Sequence, residues 1–363
     1  MKQMKLGFLL AVGCLVAACG QPGGFGDDTS GDDSGTAPDA SIDDATNIPD
    51  AIPDAPATGP DGGPCTTNTG AITGSVGVNG GSISRLVFGV VGDTRPVNSD
   101  DPASYPTSII TKIFQDIEGL SPHPPFVLGT GDYQFSSTGS SNVASQEVGY
   151  YMTARKSYSG TFFPAMGNHE CGVSGSFTTS DNNNCGPGNP GGVTPNYTAF
   201  MNQMLQPISK TTPYYSVNIN ASDSSWTAKF VVTAANSWET AQQTWLQGVM
   251  AVPTTYTFIV RHEASDATPP LPVGVAGVDG VIANYPYTML IVGHAHTYYW
   301  YYKTPNVVTF GNGGAPLSSK NYGYGLFQQR CDGAIVVDAM AYDTNAADAS
   351  FHFVVTPDGK ETK

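Results

Sequence analysis

Thr161-Phe162-Phe163-Pro164-Ala165-Met166 runs directly into Gly167-Asn168-His169-Glu170. The apolar run has the composition of a strand, and the glycine behind it breaks that strand. An amide, an imidazole and a carboxylate in succession cannot all be buried unpaired, so the four residues predict a polar loop at a strand end. For these four residues alone, a reading in which His169 merely caps a turn stands beside the functional one.

Four further segments repeat the pattern. Leu86-Val87-Phe88-Gly89-Val90-Val91 ends in Gly92-Asp93, and Phe126-Val127-Leu128-Gly129 leads through Thr130-Gly131 to Asp132. Thr257-Phe258-Ile259-Val260 leads to Arg261-His262, and Met289-Leu290-Ile291-Val292 to Gly293-His294-Ala295-His296. Short continuous apolar runs are strands buried on both faces, and in such sheets the ligand crevice lies beyond the carboxyl ends of the strands. Two aspartates (Asp93 and Asp132), Asn168 and three or four of His169, His262, His294 and His296 would converge there as oxygen and imidazole donors of the kind that hold metal ions.

The ordered set Gly-Asp, Gly-Asp, Gly-Asn-His-Glu, His, Gly-His-Ala-His resembles the five-motif signature of the calcineurin-like metallophosphoesterases, with purple acid phosphatases among the nearer relatives. The resemblance covers residues 85–314. The segment Phe230-Val231-Val232 through Asn236-Ser237, followed by Gln242-Gln243-Thr244-Trp245-Leu246, is similar to the strand and helix before the family's fourth motif. It implies an α/β fold with two facing mixed β-sheets flanked by helices, a four-layer α/β/β/α sandwich. It also implies two divalent or mixed-valence metal ions (Fe, Mn or Zn). Carried over motif by motif, Asp132 would bridge them, Asp93 and His296 would complete the first site, and Asn168, His262 and His294 would hold the second. Two cations sharing a water would lower its pKa enough to furnish a metal-bound hydroxide that attacks phosphorus. His169 would donate a proton to the leaving alkoxide.

The chain departs from the family at two positions. Arg95 stands where most of the superfamily has a ligand histidine, and Phe135 stands where purple acid phosphatases have a tyrosine, with Tyr133 nearby but displaced from that position. A guanidinium has no lone pair for a metal, so the first site is expected to be weak. Arg95 itself is expected either at the phosphate oxygens as a catalytic residue or turned out to a surface carboxylate. The expected activity is hydrolysis of a small phosphorylated substrate, monoesters first. A phosphodiesterase or nucleotidase, and a surface binding protein that has lost turnover, are the alternatives.

Residues 1–18 combine a basic start with an apolar run too brief to span a bilayer, which is the pattern of a secretory signal. Val16-Ala17-Ala18-Cys19 resembles a bacterial lipobox, implying a lipidated Cys19 and a membrane partner through that lipid. The exported chain would then be a lipoprotein of the cell envelope, at the outer membrane or cell surface. Residues 20–64 are dominated by Gly, Ala, Ser, Thr, Pro and Asp, with ten aspartates and no lysine or arginine. Such a segment cannot bury enough apolar surface to order itself, so it is expected to be a tether with ends on the order of 40 Å apart.

The formal net charge is −15; ten aspartates and two lysines before residue 65 account for −8 of it, leaving −7 on residues 65–363. A mildly acidic domain without a basic stripe is not a general nucleic-acid binder. Residues 65–363 suffice for one large catalytic domain. Helices are expected at 105–118, 141–157 and 239–251, and strands in the C-terminal third at 289–292, 297–303, 307–310, 324–330, 334–342 and 351–356.

Cys65, Cys171, Cys185 and Cys331 allow three disulfide connectivities. Cys171 with Cys185 is favoured, because they bracket the polar loop behind the central motif and closing it would contribute about 3 kcal/mol. Cys65 with Cys331 would follow. The aromatic run 298–302 reads as sheet packing before substrate stacking. Gly311-Asn312-Gly313-Gly314 is similar to the family's turn beside the site. His123 and His352 lie outside the motifs. Glu170 and Glu263 stand directly behind expected ligands, either orienting them or solvated.

Overall fold

The computed structural model describes residues 70–137, 139–172, 183–267, 270–301, 304, 306–318 and 320–362. The expected signal, Cys19, the tether and Cys65 lie outside them. Among the described residues no helix is long and apolar enough to cross a membrane.

Two short strands, β1 (Gly74–Gly77) and β2 (Gly80–Ile83), pair antiparallel. The strands β3 (Val87–Val91), β4 (Phe126–Gly129) and β5 (Thr161–Pro164) then run parallel, linked by α1 (Thr107–Glu118) and α2 (Ser141–Ala154). After the short α3 (Pro195–Phe200), the antiparallel pair β6 (Tyr215–Ala221) and β7 (Thr227–Val232) leads into α4 (Thr240–Ala251), β8 (Tyr256–Val260), α5 (Val273–Ile282) and β9 (Met289–Val292). These crossovers leave β7, β8 and β9 parallel. The remaining strands are β10 (Tyr298–Trp300), β11 (Val307–Phe310), β12 (Gly323–Gln329), β13 (Ile335–Ala341), β14 (Ala347–Val355) and β15 (Glu361–Thr362).

They form two mixed sheets. One has eight strands in the order β1-β2-β6-β7-β8-β9-β11-β10, and the other has seven in the order β15-β14-β13-β12-β3-β4-β5. The sheets face each other across a cluster of phenylalanines centred on Phe88 of β3. Its ring lies 5.1 Å from Phe230 and 5.1 Å from Phe258 of the opposite sheet, and 5.3 and 4.6 Å from Phe126 and Phe327 of its own. The outer faces are covered by helices, which is why the strands read as continuous apolar runs rather than alternating ones. Helix α1 buries Ile110, Ile113, Phe114 and Ile117 at helical spacing, with Phe114 against Tyr151 and Phe162. On the other side, Leu246, Met250, Val278 and Ile282 of α4 and α5 cover Val231, Ile259 and Leu290. The expected four-layer α/β/β/α arrangement is the one observed.

The three expected helices appear as α1, as α2 with its 3₁₀ turn Arg155–Ser157, and as α4. Helices α3 and α5 and strands β1, β2, β6 and β15 add to the expected elements. Tyr298 and Trp300 pack on β14: Trp300 stacks flat on Phe353 at 4.3 Å, and Tyr298 meets Phe351 edge-on. The Cys171–Cys185 disulfide is formed, with Cα atoms 5.6 Å apart. Cys331 is also disulfide-bonded, and its expected partner Cys65 lies outside the described residues.

Candidate metal centre

Each expected ligand lies just beyond the C-terminal end of a parallel strand: Asp93 after β3, Asp132 after β4, Asn168 after β5, His262 after β8, and His294 and His296 after β9. Asp93, Asp132 and His294 have φ of 55°, 59° and 70°, a left-handed conformation unusual for these residues and found where a structure over-determines the backbone. The glycines next to them make room for the crossing. A Cβ on Gly167 would lie 2.3 Å from Asp132 Oδ1, so the loop carrying Asn168 can pass the Asp132 carboxylate only as glycine. The glycine-rich turn at 311–314 is tied to the same place by backbone hydrogen bonds, Ala315 N–H to Asp93 O and Gly313 N–H to Gly92 O, each 2.8 Å.

The six side chains form two clusters that share one residue. Asp132, His262 and His294 offer donor atoms within 4.8 Å of one another, and so do Asp93, Asp132 and His296. Asn168 joins the first cluster, with Oδ1 3.0 Å from His262 Nε2 and 3.1 Å from His294 Nδ1. All are buried.

The chemistry of these atoms fits a cation. His262 Nδ1 donates to the Thr130 carbonyl at 2.8 Å, which turns Nε2 toward Asp132 Oδ2, 3.2 Å away. His296 Nδ1 donates to the Pro316 carbonyl at 2.6 Å, and its Nε2 lone pair faces Asp93 Oδ1 at 3.7 Å. That oxygen is buried and has no hydrogen-bond partner among the described residues. A cation here would take the place of the proton that the Asp132 carboxylate otherwise holds on His262, whose pKa is pushed well up against the effect of burial. Burial pushes the Asp93 carboxyl well up. For Asp132 burial is outweighed by the His262 and His169 imidazoles, which hold it below the usual carboxylate range. Among the described residues the Asp93 side has three such ligands and no tyrosine. Tyr133 packs in the core against Tyr151, Phe162 and Phe200.

His169 lies in the 3₁₀ turn Asn168–Glu170 with its Nε2 3.7 Å from Asp132 Oδ2. Burial, with the Arg95 charge adding to it and Asp132 opposing, pushes its pKa down to about 3. Arg95 differs from the expectation of a surface position. Its side chain has no exposed surface, so it is not turned out to a surface carboxylate. The guanidinium lies 4.2 Å from the centroid of the Phe135 ring, and Nη1 donates to the Pro96 carbonyl at 3.3 Å.

Glu170 and Glu263 are both buried rather than solvated. Glu170 Oε2 accepts from the N–H groups of Asp132 and Gly167, at 2.9 and 2.7 Å, and Oε1 from Tyr133 at 2.9 Å. It therefore orients backbone, not a ligand side chain. Glu263 accepts from Asn236 Nδ2. Asn196, on α3, donates from Nδ2 to both the His169 and Ser136 carbonyls, and no local pattern in the sequence marks it. His123 and His352 lie outside the centre, paired with Glu118 and Asp338.

No family model matches the sequence, and no curated protein matches it. Among solved structures the chain is similar to a purple acid phosphatase from yellow lupin (Lupinus luteus) seeds. The TM-score is 0.52 at 14% identity, over 75% of this chain and 54% of that one. It is also similar to a dimetal phosphatase from Danio rerio, with TM-score 0.48 at 11% identity over 75% and 99% of the two chains. The match spans about half of the lupin protein's length. The two mixed sheets, their flanking helices and the Asp/His clusters at the strand ends together give this chain the calcineurin-like metallophosphoesterase fold with candidate sites for two metal ions.

Proposed function

We propose that this protein is a metal-dependent phosphoesterase acting on small phosphate monoesters, exported and held at the cell envelope through Cys19. The observation that carries the catalytic part is the sharing of Asp132 by two buried carboxylate–imidazole clusters. Asp93, Asp132 and His296 would hold one ion, and Asp132, Asn168, His262 and His294 the other, drawn from Fe, Mn or Zn. Ions bound there would supply the Lewis acidity that activates water and neutralises phosphate oxygens.

The residues of the chain do the rest. The Thr130 and Pro316 carbonyls fix His262 and His296 with Nε2 turned inward. Asp132 is itself fixed by the His169 N–H, which donates to its Oδ1 at 3.1 Å. The negative charge of a bound ester opposes the depression of the His169 pKa, and Nε2 gives its proton to the ester oxygen as the P–O bond breaks. Ligands this deeply buried favour a terminal phosphate over an internal one, which supports monoesters.

The test is turnover of an aryl phosphate and a bis-aryl phosphate by the full chain loaded with Mn²⁺, Zn²⁺ or Fe. Hydrolysis of the monoester, abolished by chelation and by Asp132→Ala or His262→Ala, is the expected result. Unchanged turnover in those variants would sink the reading. Metal binding without turnover of either ester would favour a binding protein, since Arg95 and Phe135 leave the Asp93 cluster short of donors.

A further inference from the structure

We infer that Phe135 and Arg95 form a positioning device for His169, with Arg95 acting through the Phe135 ring and not on the substrate. The inference rests on the phosphoesterase reading for its kinetic consequence. The backbone of His169 is held at both ends: its N–H donates to Asp132 Oδ1 at 3.1 Å, and its carbonyl accepts from Asn196 Nδ2 at 3.0 Å. The imidazole is held much less. Its Nδ1 is buried without a hydrogen-bond partner among the described residues, and its Nε2 stands 3.7 Å from the nearest Asp132 oxygen. What remains to fix the ring is packing, and the Phe135 ring supplies it edge-on, with centroids 4.7 Å apart and planes at 77°.

Phe135 is in turn over-determined. Its N–H donates to the buried Glu147 Oε2 at 2.6 Å. The next carbonyl, of Ser136, accepts from the same Asn196 amide that holds His169. The Arg95 guanidinium lies 4.2 Å from the centroid of its ring. A cation on an aromatic ring in a dry setting is a strong contact, and a buried arginine here keeps the ring from rotating away. An imidazole without a hydrogen bond of its own is thus aimed at the Asp132 cluster by a ring that cannot move. Proton donation depends steeply on such aim.

The consequence is specific to the leaving group. A nitrophenolate departs without help from an acid, whereas an alkoxide needs the proton that His169 supplies. In Phe135→Leu and Arg95→Met, the ratio of p-nitrophenyl phosphate turnover to glycerol 2-phosphate turnover should rise by about tenfold or more, with metal content per chain unchanged. In a His169→Ala background neither change should alter the ratio further. In Zn-loaded, ¹⁵N-histidine-labelled chain, the His169 ring signals should report one orientation in the wild type and averaging in both variants. Equal losses on the two esters, or unaltered His169 signals, would overturn the inference. A wild type that hydrolyses neither ester would defeat the functional proposal, and the His169 signals would then decide this one by themselves.

Discussion

Both oxygens of Glu170 are used by backbone N–H groups of the loops that carry Asp132 and Asn168, so a single buried side chain sets the spacing between them. Burial pushes its pKa up to about 8, with Asp132 adding to this and the N–H donors opposing it. Glu170→Ala would leave those donors without acceptors at about 1–3 kcal/mol each. The expected outcome is a loss of roughly 3–5 kcal/mol in stability together with loss of bound metal, checked by denaturant titration beside metal analysis. Glu170→Gln, which keeps one acceptor oxygen, should fall between. The convergence of the six expected ligands was legible in the sequence because each is a polar residue at the end of an apolar run. Glu170 was half legible, since its place behind an expected ligand marked it as an orienting residue but not which backbone N–H groups it holds. Asn196 was not, because its partners lie 60 and 27 residues away. Nor was the burial of Arg95, because a guanidinium is ordinarily at the surface.

Helix α2 and the loop after β4 are joined by Glu147, whose buried carboxyl accepts the Phe135 N–H. Burial raises this carboxyl from 4.5 to about 7. The sign follows from proton counting: between those two values the folded chain holds a proton that the unfolded chain has released, so stability falls as pH rises through this window. Glu147→Gln should flatten that fall, by no more than about 3 kcal/mol, in denaturant midpoints compared at pH 5 and pH 8. A slope unchanged by the substitution would remove Glu147 as its source. At this scale, elements with a continuous apolar run or clear helical spacing were legible and those rich in glycine were not. The strands β3, β4, β8 and β9 are apolar throughout, and α1 shows its helical spacing. Helix α5, by contrast, contains Gly274, Gly277 and Gly280, residues that argue against a helix. It forms because it packs closely: a Cβ on Gly277 would lie 2.3 Å from the Trp238 ring. Likewise β1 and β2 carry four glycines and are strands only through pairing with each other and with β6.

For the molecule as a whole, the lipobox-like Val16-Ala17-Ala18-Cys19 and the acidic, proline-rich stretch behind it lead to one expectation about location. Cys19→Ser should move the protein from the membrane fraction to the soluble one, and intact-mass analysis should find lipid on the wild type alone. An unmodified wild-type N-terminus would refute it. The expected ligands divide evenly between the sheets: Asp93, Asp132 and Asn168 follow strands of the seven-stranded sheet, and His262, His294 and His296 follow strands of the eight-stranded one. An ion bound by both sets is therefore a clasp closed across the seam between the two halves of the core. Each filled site should add about 2.7 kcal/mol at a hundredfold excess of metal over Kd, seen as a melting temperature higher by roughly 5 °C or more. Chelation should return it, and protease should then cut the stripped chain faster. Metal supply would thereby set the lifetime of the protein as well as its activity, so that chains never loaded in a metal-poor setting are the first to be degraded.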